Sequence, residues 1–130
     1  MKDVQLRMET LTIAQFDPKA GTARFLVSFS KDKEQQSFEK QYTLTHPEPI
    51  AQDILKEVKQ RGKLEITDAD DIIGSIFVVR LLDEDNVDEK LFNFLARLCE
   101  KVKAMQHMKH HADYMKLYDE IKIKVLDLRR

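Results

Sequence analysis

Val4-Gln5-Leu6-Arg7-Met8-Glu9-Thr10-Leu11-Thr12-Ile13 decides the fold of the amino-terminal half. Val4, Leu6 and Met8 alternate with Gln5, Arg7 and Glu9, the period of two that gives a strand one dry and one wet face. Leu11 and Ile13 fall on the opposite parity, so an unbroken strand would turn them toward water. A bulge or strong bend near Thr10 returns them to the dry face. Asp17-Pro18-Lys19-Ala20-Gly21 is turn chemistry, with proline fixing φ and glycine free to take φ > 0. Ala23, Phe25, Val27 and Phe29 then alternate with polar residues and predict a second strand, closing a hairpin. Beyond the polar stretch Lys31 to Gln36, the set Phe38, Tyr42 and Leu44 predicts a third. Short links between consecutive strands favour an antiparallel meander with one wet face.

Pro47-Glu48-Pro49 ends the strands, and Pro49 suits the first turn of a helix, where its missing N–H costs nothing. Ile50, Ile54, Leu55 and Val58 come next at helical spacing, and Gly62 stands where a C-terminal cap belongs. A helix from about Pro49 to Arg61 should cover the open face of the meander. Lys63 to Ile66 could add a short strand. Thr67-Asp68-Ala69-Asp70 has capping-box spacing before an apolar run, which predicts a buried helix over Asp68 to Leu82. The β-branched cluster in Ile76-Phe77-Val78-Val79 argues instead for a strand there.

Val87 to Arg130 contains neither glycine nor proline, and a single helix of that length would run about 66 Å. Leu91, Leu95, Leu98, Val102 and Met105 form one apolar stripe; Tyr114, Leu117, Tyr118, Ile121, Val125 and Leu128 form another. Continued by heptads, the first stripe misses the second by two residues, about 200° around a helix. A break within the polar segment Gln106 to Asp113 accounts for the slip and predicts a long helical hairpin. Two alternatives are one long helix whose halves face different partners, and a terminal strand, since Ile121 to Val125 also alternates. The fold class is therefore α+β: an N-terminal three-stranded antiparallel β-meander packed by a helix, then a C-terminal helical half, all in one domain spanning residues 1–130.

Composition bounds the function. The chain has 130 residues, enough to bury roughly two-thirds of its unfolded surface without a disulfide or metal. The 22 lysines and arginines nearly cancel 23 aspartates and glutamates, so the phosphate-neutralising excess of a nucleic-acid binder is missing and none is expected as a partner. Cys99 is the one cysteine, which excludes an intrachain disulfide. The first seven residues carry no signal-peptide apolar core, and the longest uncharged apolar run, Ile72 to Val79, is far too short to cross a bilayer. A cytoplasmic location and no membrane partner are expected. The three glycines, at 21, 62 and 74, are too far apart for a Walker loop or a dinucleotide fingerprint, and no G-x-S-x-G elbow exists. No cofactor is expected.

The densest group of ligand-type side chains is Met105-Gln106-His107-Met108-Lys109-His110-His111-Ala112-Asp113. On a helix His107 and His111 would share a face one turn apart, the spacing that lets two imidazoles hold one metal. His110 and Asp113 are further candidates, and Met105 and Met108 would suit a softer ion such as copper(I). No glutamate follows His107, so the zincin base is missing. A solvated polar turn is the plainer alternative. The acidic clusters Asp68/Asp70/Asp71 and Asp83/Glu84/Asp85 lack the loop glycine and closing glutamate of a calcium site, and helix capping accounts for both. Cys99 flanks the first stripe with no local base to activate it, which predicts core packing. His46 precedes Pro47 and suits a turn. Lys56, Lys59, Arg61 and Lys63 complement a helix C-terminal dipole.

Two function classes stay open. The first is a non-catalytic interaction or regulatory module that self-associates, or binds a protein partner, through Tyr114, Tyr118, Ile121 and Val125. The warrant is that both long segments carry apolar residues on more than one flank: Phe92, Cys99 and Met108 on one, Ile123 and Leu126 on the other. A homodimer is expected. The second is a metal-binding protein or metal-dependent enzyme using His107, His110 and His111.

Overall fold

The parity problem in the first strand is solved by bulges. A computed structural model describes residues 2–64 and 77–129, and in it β1 (Lys2–Asp17) pairs antiparallel with β2 (Thr22–Lys31). The register slips between Met8 and Thr10 and again between Ile13 and Gln15. Each extra residue reverses the facing of the residues beyond it. Val4, Leu6 and Met8, then Leu11 and Ile13, then Phe16 all land on one buried face despite their broken spacing. The first slip is where the sequence predicts it. The second rescues Phe16 in the same way.

β3 (Glu34–Thr43) pairs with β2 in unbroken register from Thr22↔Thr43 to Lys31↔Glu34. It starts inside the polar stretch, whose Glu34, Gln35 and Gln36 are strand residues. The link is the two-residue turn Asp32-Lys33, with φ of 47° and 76°. Positive φ at both positions matches the twist of a hairpin. The turn is held by β1: Asp32 N–H donates to the Gln5 carbonyl at 3.0 Å, and Gln5 N–H donates to Asp32 Oδ1 at 3.1 Å.

Among the described residues the sheet has two more strands, both on the far edge of β1. β4 (Phe77–Leu81) runs parallel to Lys2–Leu6, and β5 (Val125–Asp127) runs antiparallel to Thr10–Thr12. The sheet is thus mixed, in the order β3-β2-β1-β4, with β5 sharing the β1 edge. Here the helix expected over Asp68 to Leu82 is overturned: residues 77–81 are strand, as the β-branched cluster argued. The run Phe77-Val78-Val79 is short and shows no apolar–polar alternation to distinguish it from part of a helix. The capping box at Thr67 and the first part of that predicted helix lie outside the described residues.

The described residues also form three helices: α1 (Pro47–Leu64), α2 (Glu84–Gln106) and α3 (His111–Lys122). α1 buries Ile50, Ala51, Ile54, Leu55 and Val58, and α2 buries Val87 through Met105 along the predicted stripe, in one core with the dry face of the sheet. Each fully buried leucine contributes roughly 1.5–3 kcal/mol, so Leu91, Leu95 and Leu98 alone outweigh any propensity effect along α2. Cys99 is buried beside them. Residues 107–110 break the helical run inside the segment where the stripe slips, so the single long helix is excluded.

Gly62 is not a cap. α1 continues past it to Leu64, which also removes Lys63 and Leu64 from the predicted extra strand; residues 65 and 66 lie outside the described ones. A Cβ at position 62 would stand 2.8 Å from both methyl carbons of Leu6, a side chain with no exposure. Glycine here lets α1 lie directly on β1.

Candidate functional site

Lys40 is the first clue to what holds the helical layer in place. It shares a strand face with Phe38, Tyr42 and Leu44, so a cation stands where apolar residues point inward. α1 supplies the answer, one turn apart: Lys40 Nζ lies 2.8 Å from Asp53 Oδ2 and 3.5 Å from Glu57 Oε2. The Tyr42 hydroxyl donates to Asp53 Oδ2 at 2.7 Å, and Arg61 pairs with Glu57 at 3.1 Å while lying over the Phe38 ring. Burial raises the pKa of Asp53, but hydrogen bonds from Lys40 and Tyr42 and the charges of Lys40 and Lys56 outweigh it, so the carboxyl is held below its ordinary value. Burial and the bond to Asp53 push the Tyr42 phenol up. The cluster is a clamp between the outer strand and α1. The basic end of α1 is also engaged: Lys59 pairs with Glu84 at the start of α2. Arg61 and Lys59 are thus each paired with a carboxylate within the fold.

The ligand cluster read from the sequence sits at the helix break. α2 ends in tight turns, with His107 N–H donating to the Ala104 carbonyl and Met108 N–H to the Met105 carbonyl, both at 3.2 Å. His110 is extended (φ −97°, ψ 118°) and α3 starts at His111. His107 and His111 therefore lie on opposite sides of a break, and the one-turn spacing that would let them grip one ion is not formed. His107, His110, His111 and Asp113 are all exposed. Among the described residues no three His, Cys, Asp or Glu side chains converge as a metal-binding group. His111 is ordered differently, its ring stacked on Tyr114 at 6.4 Å.

The four residues expected at an interface divide. Ile121 has no exposure and anchors α3 to the core; Tyr114 and Tyr118 are half-buried against it; Val125 is 56% exposed. Tyr118 stacks on Phe16 with ring centres 5.7 Å apart and has Lys122 over its outer face. Of the flanks, Cys99 and Leu126 are covered, whereas Phe92, Met108 and Ile123 are exposed, Ile123 by 74%. Burial raises the Cys99 thiol pKa, with only Lys103 opposing it, which leaves a poor nucleophile.

Two grooves border α3, one on each side of the Asp17–Gly21 turn. The larger, about 820 Å³, is lined by Phe16, Ala20, Arg24, Gln41, Tyr118 and Ile123 among others. The second, about 640 Å³, runs between that turn and the helix break and is lined by Pro18, Met105, Met108, His111, Tyr114 and Met115 together with Lys19, Gln106 and Lys109. Gln106 Nε2 donates to the Pro18 carbonyl at 3.3 Å and closes one end. Sequence reasoning finds Met105, Met108 and His111 but misses Met115, whose one hint is its spacing of four from His111 on α3. Pro18 comes from a segment no local pattern links to the helices.

No helix among the described residues is long and apolar enough to cross a membrane. Comparison with known proteins gives no match to a family model, to a curated protein or to a solved structure.

Proposed function

We propose that the chain is a non-catalytic interaction module, acting in the cytoplasm, that self-associates through α3 and the residues flanking it. One observation carries this. Of the six exposed large apolar side chains among the described residues, Met108, Met115, Ile123 and Val125 fall between residues 108 and 125, on or beside the helix with the fewest buried side chains. An apolar group left in water on a marginally packed element is what a docking partner would cover. A second copy suits this surface because its charges interleave: Asp113, Asp119, Glu120 and Asp127 alternate with Lys116, Lys122 and Lys124. Such mixed charge allows opposite charges to meet in a two-fold pairing, and a net charge of −1 offers no general repulsion.

Light scattering at tens of micromolar is the test. The expected mass is twice 15.3 kDa, falling to the single-chain value in an Ile123→Lys/Val125→Lys variant. A parent protein that scatters as a monomer removes self-association from consideration.

A further inference from the structure

The groove between the helix break and the Asp17–Gly21 turn gathers an unusual set of donors. Three thioethers, from Met105, Met108 and Met115, and the imidazole of His111 border one space of about 640 Å³. They come from the last turn of α2, the break itself and the first turns of α3. Met105 is 2% exposed and forms a floor, whereas Met108 and Met115, each 37% exposed, form walls open to solvent. His111 and Met115 are one turn apart on α3, so both project from the same side of a helix that is actually formed.

We propose that this groove binds a soft monovalent metal ion, copper(I) or its analogue silver(I), through the sulfurs of Met105, Met108 and Met115 and a ring nitrogen of His111. The donor set selects the ion. Thioethers are neutral and soft, and they favour copper(I) over calcium, magnesium or manganese, which require oxygen ligands. Among the described residues no carboxylate or thiolate lines the groove, and Lys19 and Lys109 border it, so a hard dication finds no anionic ligand there. A monovalent ion suffers the repulsion of those lysines least. Methionine has three rotatable bonds and adjusts to a metal without moving its helix, while the stack on Tyr114 limits the freedom of the His111 ring. This set differs from the histidine triplet of the sequence: His107 and His110 do not border the groove. Met108 and Met115 also belong to the surface proposed for self-association, but all four donors come from one chain, so binding does not require a second copy.

The protein should be titrated anaerobically with copper(I) under ascorbate against the chromogenic chelator bicinchoninate, and with silver(I) followed through methionine methyl resonances. The expected results are one equivalent withheld from the chelator, and silver shifts at Met105, Met108 and Met115 but not at Met8, which is fully buried on β1 and does not border the groove. Met108→Leu/Met115→Leu keeps volume and apolarity and should weaken binding by about tenfold or more, the least that disturbing a metal's ligand environment costs. His111→Ala should weaken it too, and His107→Ala/His110→Ala should bind as the parent does. The assignment is overturned if the parent withholds no copper, if the double leucine variant binds unchanged, or if the His107/His110 variant loses the ion.

Discussion

α2 and α3 are consecutive helices separated by four residues, yet they are held by different means. α2 puts seven of its 23 residues into the core; α3, with 12, puts in only Ile121. A helix of a dozen residues is marginal in water, so α3 exists because Ile121, the Tyr118–Phe16 stack and the half-buried Tyr114 and Leu117 hold it down. α1 belongs with α2, since it lies directly on β1 at Gly62 and is clamped to β3 through Asp53 and Glu57. The molecule thus divides into a clamped layer, α1 and α2 over the sheet, and a lightly held rim, α3 with β5. Four of the six exposed large apolar side chains among the described residues sit on or beside the rim, where they cost the fold least.

The most demanding test of this division is a pair of truncations. Leu95→Ala should cost about 2–5 kcal/mol, because it empties a fully buried site. Met115→Ala should stay within about 0.5 kcal/mol, because alanine is a good helix former and the site is partly solvated. Urea denaturation of both variants measures this. Equal losses would mean that α3 belongs to the same buried layer and that the division is wrong.

Gly62 refines the contrast at the contact with β1. In an exposed helix Gly→Ala gains about 1 kcal/mol, whereas overfilling a close-packed site costs about 1–3 kcal/mol. Gly62→Ala should therefore destabilise by about 1 kcal/mol. In a Leu6→Ala background the methyl finds room, and the same change should become stabilising. A Gly62→Ala that stabilises the parent protein would show that α1 does not press on β1.

The clamp predicts the smallest effect, and one with a pH signature. Because the fold holds the Asp53 pKa below its unfolded value, its contribution is complete above the ordinary carboxylate range and disappears as pH falls through the depressed value. At the other end Lys40 is raised, first by its hydrogen bond to Asp53, so its share is complete below the ordinary lysine value and is lost as pH rises through the raised one. Between about pH 5 and about pH 3, the parent should lose more stability in urea than Asp53→Asn does. Parallel losses would remove Asp53 from the clamp. Its groups are substantially exposed, so solvent screening keeps the effect modest.

The strands of the meander are legible because alternation reports directly on a half-buried sheet, and the parity flip at Leu11 locates a bulge without any structure. The second bulge, between Ile13 and Gln15, is not among the sequence expectations, which place only one near Thr10. β4 is not legible: Phe77-Val78-Val79 has no apolar–polar alternation, and a capping pattern outweighs the β-branched residues. β5 is only half legible: the alternation from Ile121 to Val125 raises a terminal strand, but Ile121 and Lys122 end α3 and the strand is Val125–Asp127. Gly62 resembles a cap because sequence shows its chain neighbours and not Leu6 across the layer. For the site, two inferences from one segment are incompatible. The stripe slip demands a break between Gln106 and Asp113, whereas pairing His107 with His111 demands an unbroken helix there. The break prevails, and it turns the methionines and His111 toward a groove whose other wall comes from residue 18.

β1 also constrains the order in which the molecule can be assembled. Ile13 pairs with Phe25, 12 positions along, but Thr12 pairs with Val125, 113 positions along. Loop-closure entropy grows with the logarithm of separation, so the second pairing costs about 2 kcal/mol more to initiate than the first, before any helix has formed to shorten the path. Only three residue pairs repay that cost, against the ten that join β1 to β2. The hairpin can therefore stand without β5, whereas β5 has no strand to meet until the hairpin is in place. One long strand acts first as a template and last as a latch.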